Sequence, residues 1–132
     1  MKRRSLEPQS LGESPVHWLC RALLAMEQIE EMQALLTDLC TPAELEALAD
    51  RWQVVPYVLE NVPYREIHDR TAVSVTTIGR VARCLSAGSG GYQVAVRRLK
   101  RRGAWPQIYR DGETLAIEPE LAPARSRRRG RA

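Results

Sequence analysis

The sequence contains no phenylalanine, only two histidines and three cysteines, and no long apolar run. Without phenylalanine, we expect leucine, valine, alanine and the three tryptophans to form the core. The apolar runs are too short to cross a bilayer, which takes about 20 residues, so we predict no membrane segment. Residues 1–15 begin with basic residues, but no apolar stretch follows, which argues against a secretory signal. We therefore expect a cytoplasmic protein.

Motifs for chemistry are also missing. Cys20, Cys40 and Cys84 are an odd number, lie far apart and include no C-x-x-C pair, so we expect reduced thiols. Two histidines do not supply a zinc-ligand set at a known spacing, and no glycine-rich phosphate loop is present. No acid/base pair or nucleophile set is recognisable. We predict no metal site, no catalytic residue and no cofactor, and a protein that is not an enzyme.

The charge is distributed unevenly along the 132 residues, which suffice for one small domain with tails. Residues 26–60 contain eight acidic residues and one basic residue, whereas residues 61–110 contain ten basic and two acidic residues. A basic half is what a nucleic-acid-binding protein is expected to have. A charged, solvated surface is the alternative interpretation.

The most informative stretch is PYREIHDRTAVSVTTIGRVARCL, residues 63–85. It predicts two short helices, Tyr64 to Thr71 and Val75 to Leu85, with Ala72-Val73-Ser74 between them. The apolar stripe of the second helix is predicted to consist of Val75, Ile78, Ala82 and Leu85, and its opposite face of Thr76, Arg80 and Arg83. This pattern is typical of a helix-turn-helix that reads the DNA major groove, although plain helical bundles can show it too.

Three helices are predicted before this pair. The first begins at Ser14-Pro15 and runs to about Met26, and the second covers Glu27 to Leu39. The third begins at the capping box Thr41-Pro42-Ala43-Glu44. Its apolar face is predicted to be the central beam of the core and consists of Leu45, Leu48, Ala49, Trp52, Val55 and Leu59. For Pro56 we predict a bend near residues 53–56 rather than two separate helices.

The domain organisation follows from these elements. We predict a mobile N-terminal arm at residues 1–14, a helical domain at 15–102 with its helix-turn-helix at 64–85, and an extended C-terminal segment at 103–132. That segment ends in PARSRRRGRA, whose five arginines and lack of an apolar anchor predict a disordered tail. A further helix is predicted at residues 92–102. The helix dipole explains part of its terminal cluster of five cations, and phosphate contact better explains the rest.

Four stretches in one collinear order resemble the Trp repressor superfamily, most closely its Trp-repressor-related YerC/YecD-type members. They are LCTxxELxALAxR (39–51), YREI (64–67), TIxRVxRCL (77–85) and GYQxAVRRL (91–99). The resemblance implies an all-α, Trp-repressor-like helix-turn-helix fold and an intertwined helical homodimer. It also implies double-stranded DNA as the partner, with the recognition helices in successive major grooves. It does not explain the flanks, 1–14 and 103–132.

The resemblance also implies which residues contact DNA. Arg65 is expected to pair bidentately with guanine O6 and N7, Val75 to touch a thymine methyl, and Ser74 to cap the second helix. The full predicted set is Arg65, His68, Ser74, Val75, Thr76, Thr77, Gly79, Arg80 and Arg83. The family's turn usually contains glycine, and an alanine forced into the left-handed region costs on the order of 1 kcal/mol.

A small-molecule effector is the other implication of the resemblance. The corepressor tryptophan of Trp repressor is held by a threonine, two arginines and a serine, which fall on Thr41, Arg51, Arg80 and Cys84. Cysteine is a weak hydrogen-bonding group, and Val81 stands where the family has glycine, so its side chain is expected to project into the ligand space. We therefore do not expect L-tryptophan to bind. Alternatively, Thr41 is simply a helix cap, and the two arginines hold acidic or carbonyl groups.

These observations predict a sequence-specific DNA-binding transcription regulator, a repressor that acts as a homodimer at the nucleoid. Two other classes fit the same sequence. One is a basic protein that associates with DNA or RNA without sequence preference, through its Arg-rich tail. The other is a helical protein-interaction module that binds a partner through the acidic residues between 26 and 60.

Overall fold

The computed structural model describes residues 14–106 and the backbone of two short strands. Within this part the helices are α1 (Pro15–Leu24), α2 (Ile29–Leu39), α3 (Pro42–Gln53), α4 (Val55–Leu59), α5 (Tyr64–Thr71), α6 (Val75–Ala87) and α7 (Gly91–Arg101). Strands β1 (Ile108–Arg110) and β2 (Leu115–Ile117) pair in an antiparallel ribbon, with Tyr109 opposite Ala116. The predicted all-α helix-turn-helix class is confirmed, with this small ribbon added after α7. The predicted mobile arm (apart from Ser14) and Arg-rich tail lie outside the described residues.

Local hydrogen bonds start α1 and α3 where the sequence predicted, whereas α2 begins at Ile29 rather than at the predicted Glu27. The Glu44 amide donates to Thr41 Oγ1 at 3.1 Å, and the Thr41 amide donates to Glu44 Oε1 at 2.8 Å, which completes the capping box. The His17 amide donates to Ser14 Oγ at 3.1 Å. These side chains accept from amide groups that the first turn of a helix leaves without a partner.

The third predicted helix is interrupted rather than bent. Helix α3 ends at Gln53, Val54 forms a turn, and α4 begins at Val55 with Pro56 in its first turn. Our prediction of one bent helix was therefore wrong. Proline has no amide hydrogen to donate to the preceding turn but fits well at a helix start. The helical bonding resumes with the Val58 amide, which donates to the Val54 carbonyl at 3.0 Å.

The chain divides into two compact units, with the boundary between Ala47 and Leu48. In the described part of the first unit, residues 14–47, no side chain is buried. Val16, Leu24 and Ile29 are 70%, 84% and 80% exposed. An open groove of about 260 Å³ lies in this unit and is lined by Ile29, Met32, Gln33, Leu36 and Leu45.

The second unit contains the core. The buried residues are Val54, Val55, Tyr57, Val62, Ile67, Val73, Ile78, Val81, Leu85 and Val96. The prediction of a core of leucine, valine, alanine and tryptophan is therefore confirmed for valine. It is wrong for alanine and tryptophan, which are absent from the described core, and Leu85 is the one leucine there. Trp52 and Trp105 pack only at its edge, and Trp18 is exposed. Of the predicted central beam only Val55 is buried, and it lies in α4, after the turn at Val54.

Candidate nucleic-acid interface

Helices α5 and α6 form the predicted helix-turn-helix. Helix α5 has the predicted bounds, and α6 extends two residues beyond Leu85 to Ala87. Their apolar residues meet in one core, where Ile67 of α5 and Ile78 of α6 have no exposed surface. The two helices contact each other directly, so the angle of α6 depends on the short turn between them.

The turn keeps a left-handed residue although it contains no glycine. Ala72 has φ 67° and ψ 8°, and its amide donates to the His68 carbonyl at 2.8 Å. An L-residue in this region has its Cβ too close to the following carbonyl, which costs about 1–2 kcal/mol. The surrounding structure must supply that energy, since Ala72 itself is exposed and packs against little.

Hydrogen bonds on both sides of Val73 hold the turn in place. The Val73 amide donates to Thr71 Oγ1 at 3.1 Å, and the Thr71 hydroxyl donates to the Ile67 carbonyl at 2.8 Å. His68 Nδ1 lies 2.8 Å from the Val73 carbonyl. Because a carbonyl only accepts, Nδ1 must carry the proton. His68, predicted as a DNA contact, therefore also fastens the turn.

Sequence analysis missed Thr71. The hydroxyl of a threonine in the last turn of a helix can donate a hydrogen bond to the carbonyl four residues earlier. The position of Thr71 at the end of α5 was therefore a signal available in the sequence. Here the same oxygen also accepts the first amide after the left-handed residue. Thr71 thereby links the end of α5 to the buried Val73.

The start of α6 has the predicted cap. Ser74 Oγ accepts from the Thr77 amide at 3.1 Å and donates to Thr77 Oγ1 at 3.0 Å. These two hydroxyls are therefore engaged with each other, whereas Thr76 is exposed and makes no hydrogen bond to the described residues through its hydroxyl. Of the three predicted hydroxyl contacts, Thr76 is the freest to meet DNA.

The buried stripe of α6 differs from the predicted one. Val81 is fully buried, whereas Ala82 is half-buried and Val75 is 49% exposed. Val81 therefore packs in the core and does not project into a ligand space, contrary to our expectation. The buried stripe of α6 therefore runs through Ile78, Val81 and Leu85, which share one core with buried residues of α4, α5 and α7. Val75 remains at the surface, where a contact with a thymine methyl requires it.

The opposite face of α6 is polar and basic, as predicted. Arg80 and Arg83 are exposed, and neither forms an ion pair with the described residues. Gly79 directly precedes Arg80. A Cβ built there would lie 3.6 Å from the Arg83 guanidinium and 3.9 Å from the Tyr64 ring, which is ordinary contact. Glycine is therefore not sterically required, and its absent side chain leaves the backbone open to approach.

The two arginines of α5 have different surroundings. Arg70 Nε lies 3.7 Å from Glu66 Oε2, so its charge is partly neutralised. Arg65, at the start of the helix, is exposed and makes no ion pair in the described part of the chain. Among the described residues, the Arg65 guanidinium, which was predicted to contact a base, is therefore unpaired at the N-terminal end of α5.

Beneath α5, the core contains one titratable group whose pKa is shifted. Burial raises the pKa of the Tyr57 phenol, and the positive charge of Arg70 opposes part of that shift. Burial acts this way because it disfavours the charged phenolate. Tyr57 therefore stays neutral beneath the helix-turn-helix.

The predicted effector residues belong to both compact units, Thr41 to the first and the other three to the second. Thr41 is the helix cap of α3, Arg51 is half-buried, and Arg80 is exposed. Cys84 alone lines an open cleft of about 440 Å³, whose other walls are Trp52, Ser89, Gly90, Gly91, Tyr92 and Ala95. The Trp52 and Tyr92 rings stack there with centroids 5.9 Å apart.

In the part of the chain that the structure describes, no cluster of three metal-binding side chains occurs, and no helix has the length and apolar character to cross a membrane.

Comparison with known proteins points in the same direction as this geometry. The family model described as "Trp repressor protein" matches residues 14–100, which include all seven helices except the end of α7. An uncharacterised protein, YerC of Bacillus subtilis (strain 168), is 37% identical over 82 residues, covering 62% of this chain and 79% of YerC. The match begins before α1, so the similarity to the family covers the N-terminal helices as well as the helix-turn-helix. The chain belongs to the Trp repressor family.

Proposed function

We propose that this protein is a homodimeric, sequence-specific DNA-binding transcription regulator that acts as a repressor at the nucleoid. The family's members are DNA-binding regulators that use a helix-turn-helix. The observation that carries the proposal is the two-sided character of α6. Ile78, Val81 and Leu85 are buried along one side, and Thr76, Arg80 and Arg83 are exposed along the other. A helix anchored on one side with free donors on the other is what major-groove reading requires.

Specific base reading is assigned to Arg65, Val75 and Thr76. Arg65 supplies two parallel donors for guanine, and Thr76 supplies a hydroxyl that no described group occupies. Val75, half-exposed at the start of α6, supplies a methyl contact for thymine. Three of the remaining predicted residues position the helix: Ser74 and Thr77 cap it, and His68 holds the turn before it.

The first unit supports the homodimer. Its described helices bury nothing, although they present Val16, Leu24 and Ile29 at 70–84% exposure. Contiguous exposed apolar surface marks an interface with another protein. A second copy is the partner that the family resemblance implies, and its apolar helices would fill the groove beside Ile29.

Selection of bound sequences from a random duplex pool tests the proposal. We expect a palindrome with half-sites about one helical turn apart, because a two-fold dimer presents two copies of α6. A pool that shows no enriched sequence would refute specific regulation.

Arg65→Ala tests the assignment of the base-reading residue. Loss of a bidentate pair should weaken binding to the selected sequence by about 1–3 kcal/mol and leave binding to random DNA nearly unchanged. Gel shifts on both duplexes measure this difference. Arg65→Lys is the matched control, because it keeps the charge but loses the fork. Equal losses on both duplexes for Arg65→Ala would mean that Arg65 contacts only phosphate.

We further propose that DNA binding does not require L-tryptophan. Only Cys84 of the four predicted effector residues lines a described cleft, and a thiol is a weak partner for an amino group. Isothermal titration with L-tryptophan should show no binding. Micromolar affinity would contradict this proposal.

A further inference from the structure

The end of α7 presents a cluster of arginines that the helix-turn-helix does not use. Arg97, Arg98 and Arg101 are exposed, whereas Val96 is buried and Leu99 is half-buried. At 3.6 residues per turn, the three arginines share the side of α7 opposite its core contacts. They therefore form one outward surface, which we call the α7 basic face.

Helix capping does not explain this surface. The Arg102, Gly103 and Ala104 amides already donate to the carbonyls of the last turn, at 2.8–3.0 Å. Gly103 has φ 72° and completes a Schellman-type end. Because backbone amides satisfy these carbonyls, the arginine side chains are not needed for that purpose.

Pairing within the described chain does not explain it either. None of the three arginines forms an ion pair with the described residues. Arg97 and Arg101 are four residues apart, and like charges at that spacing destabilise a helix by a few tenths of a kcal/mol. The neighbouring Lys100 differs, since its Nζ lies 5.8 Å from the centre of the Trp105 ring. The α7 basic face thus lacks a described anion.

The α7 basic face is fixed relative to α6. Gln93 Nε2 donates to the Leu85 carbonyl, and Val96 packs in the same core as Leu85. A rigid positive surface joined to the recognition helix is suited to the backbone of the same duplex. The acidic residues 26–60 of a second copy are less suited, because Glu31 and Glu44 already accept hydrogen bonds at helix starts.

We propose that the α7 basic face binds the phosphate backbone of the duplex that α6 reads, and adds affinity without sequence preference. This inference rests on the proposed DNA-binding function. Each phosphate contact releases counterions, so the logarithm of the binding constant falls more steeply with the logarithm of the salt concentration. The slope of this dependence increases by about 0.9 per contact. Three contacts from each copy of the dimer, six in all, would therefore contribute about 5.4 to that slope.

The test is the salt dependence of the full-length protein's binding to the selected duplex and to a random duplex. Arg97→Gln, Arg98→Gln and Arg101→Gln together should reduce the slope by about 5.4 on both duplexes, because both copies of the dimer lose three contacts, while preserving the preference for the selected one. Glutamine resembles arginine in helix propensity, and circular dichroism checks the fold. The matched variant with lysine at the same three positions should keep the slope, because it keeps the charge.

The outcomes separate the hypotheses. An unchanged slope in the glutamine variant, beside the expected loss for Arg65→Ala, would overturn this inference alone. No duplex binding by the unchanged protein would overturn both proposals. Weaker self-association of the glutamine variant in sedimentation without DNA, with no change in slope, would assign the α7 basic face to a second copy instead.

Discussion

The two compact units use their apolar residues differently. In residues 14–47, helices α1 and α2 have 10 and 11 residues, well-defined starts and no buried side chain. From residue 48 onward, four helices of 5 to 13 residues and the turns beside them share a core of ten buried apolar residues. Isolated helices of about 12 residues are marginal in water, and a cap contributes only about 1 kcal/mol. The second unit therefore holds its own structure, whereas the first needs another surface.

The largest expected effect tests the core of the second unit. Ile78→Ala should lower the free energy of unfolding by about 2–5 kcal/mol, because it leaves a cavity among fully buried side chains. Urea denaturation at several protein concentrations measures it, and the loss should be the same at each. A loss under about 0.5 kcal/mol would show that this unit is not self-contained.

The next effect tests the dependence of the first unit on a partner. Ile29→Ser should weaken self-association by about 1.5–3 kcal/mol, roughly a factor of ten to a hundred in the dimer Kd, because Ile29 is 80% exposed in the single chain. Sedimentation over a range of concentrations measures the Kd. Ala34→Ser, in the same helix at another exposed position, is the control and should change little. Equal behaviour of the two variants would place the interface elsewhere.

A smaller effect concerns the strain stored in the second unit. Ala72→Gly should raise the free energy of unfolding by about 0.5–1 kcal/mol, since relief of the left-handed strain exceeds the entropy that glycine loses. The midpoint of urea denaturation reports this gain. Asn61→Gly is the matched control at another left-handed position that glycine does not occupy (φ 61°), and should gain less because asparagine tolerates this region. A destabilised Ala72→Gly would mean that the turn holds alanine without strain.

The smallest effect is a pH dependence confined to the second unit. The folded-state pKa of Tyr57 is raised above 10.0, so the unfolded chain loses this proton first as pH rises. The free energy of unfolding should therefore fall as pH increases past about 10, where an ordinary tyrosine titrates. Tyr57→Phe should remove this part of the fall, which unfolding at about pH 8 and about pH 10.5 measures. Identical pH profiles would show that Tyr57 ionises normally.

Much of the site followed from sequence. The bounds of α5, the start of α6, the Ser74 cap and the exposure of Thr76, Arg80 and Arg83 agree with prediction. The turn could be located but not described. The sequence shows that alanine is unfavourable at a left-handed position. Only the hydrogen bonds that Val73 makes with His68 and Thr71 show what holds Ala72 in that conformation.

The sequence by itself therefore determined the features that depend on residues close together in the chain. A capping box joins residues three apart, as Thr41 and Glu44 show, so local side chains decide where a helix begins. Burial is different because it depends on elements far apart in the chain. Packing buried Val81 instead of Ala82 and left Val75 at the surface beside the groove-reading face. Periodicity shows that a helix has an apolar side, but only tertiary contacts select the residues at its centre.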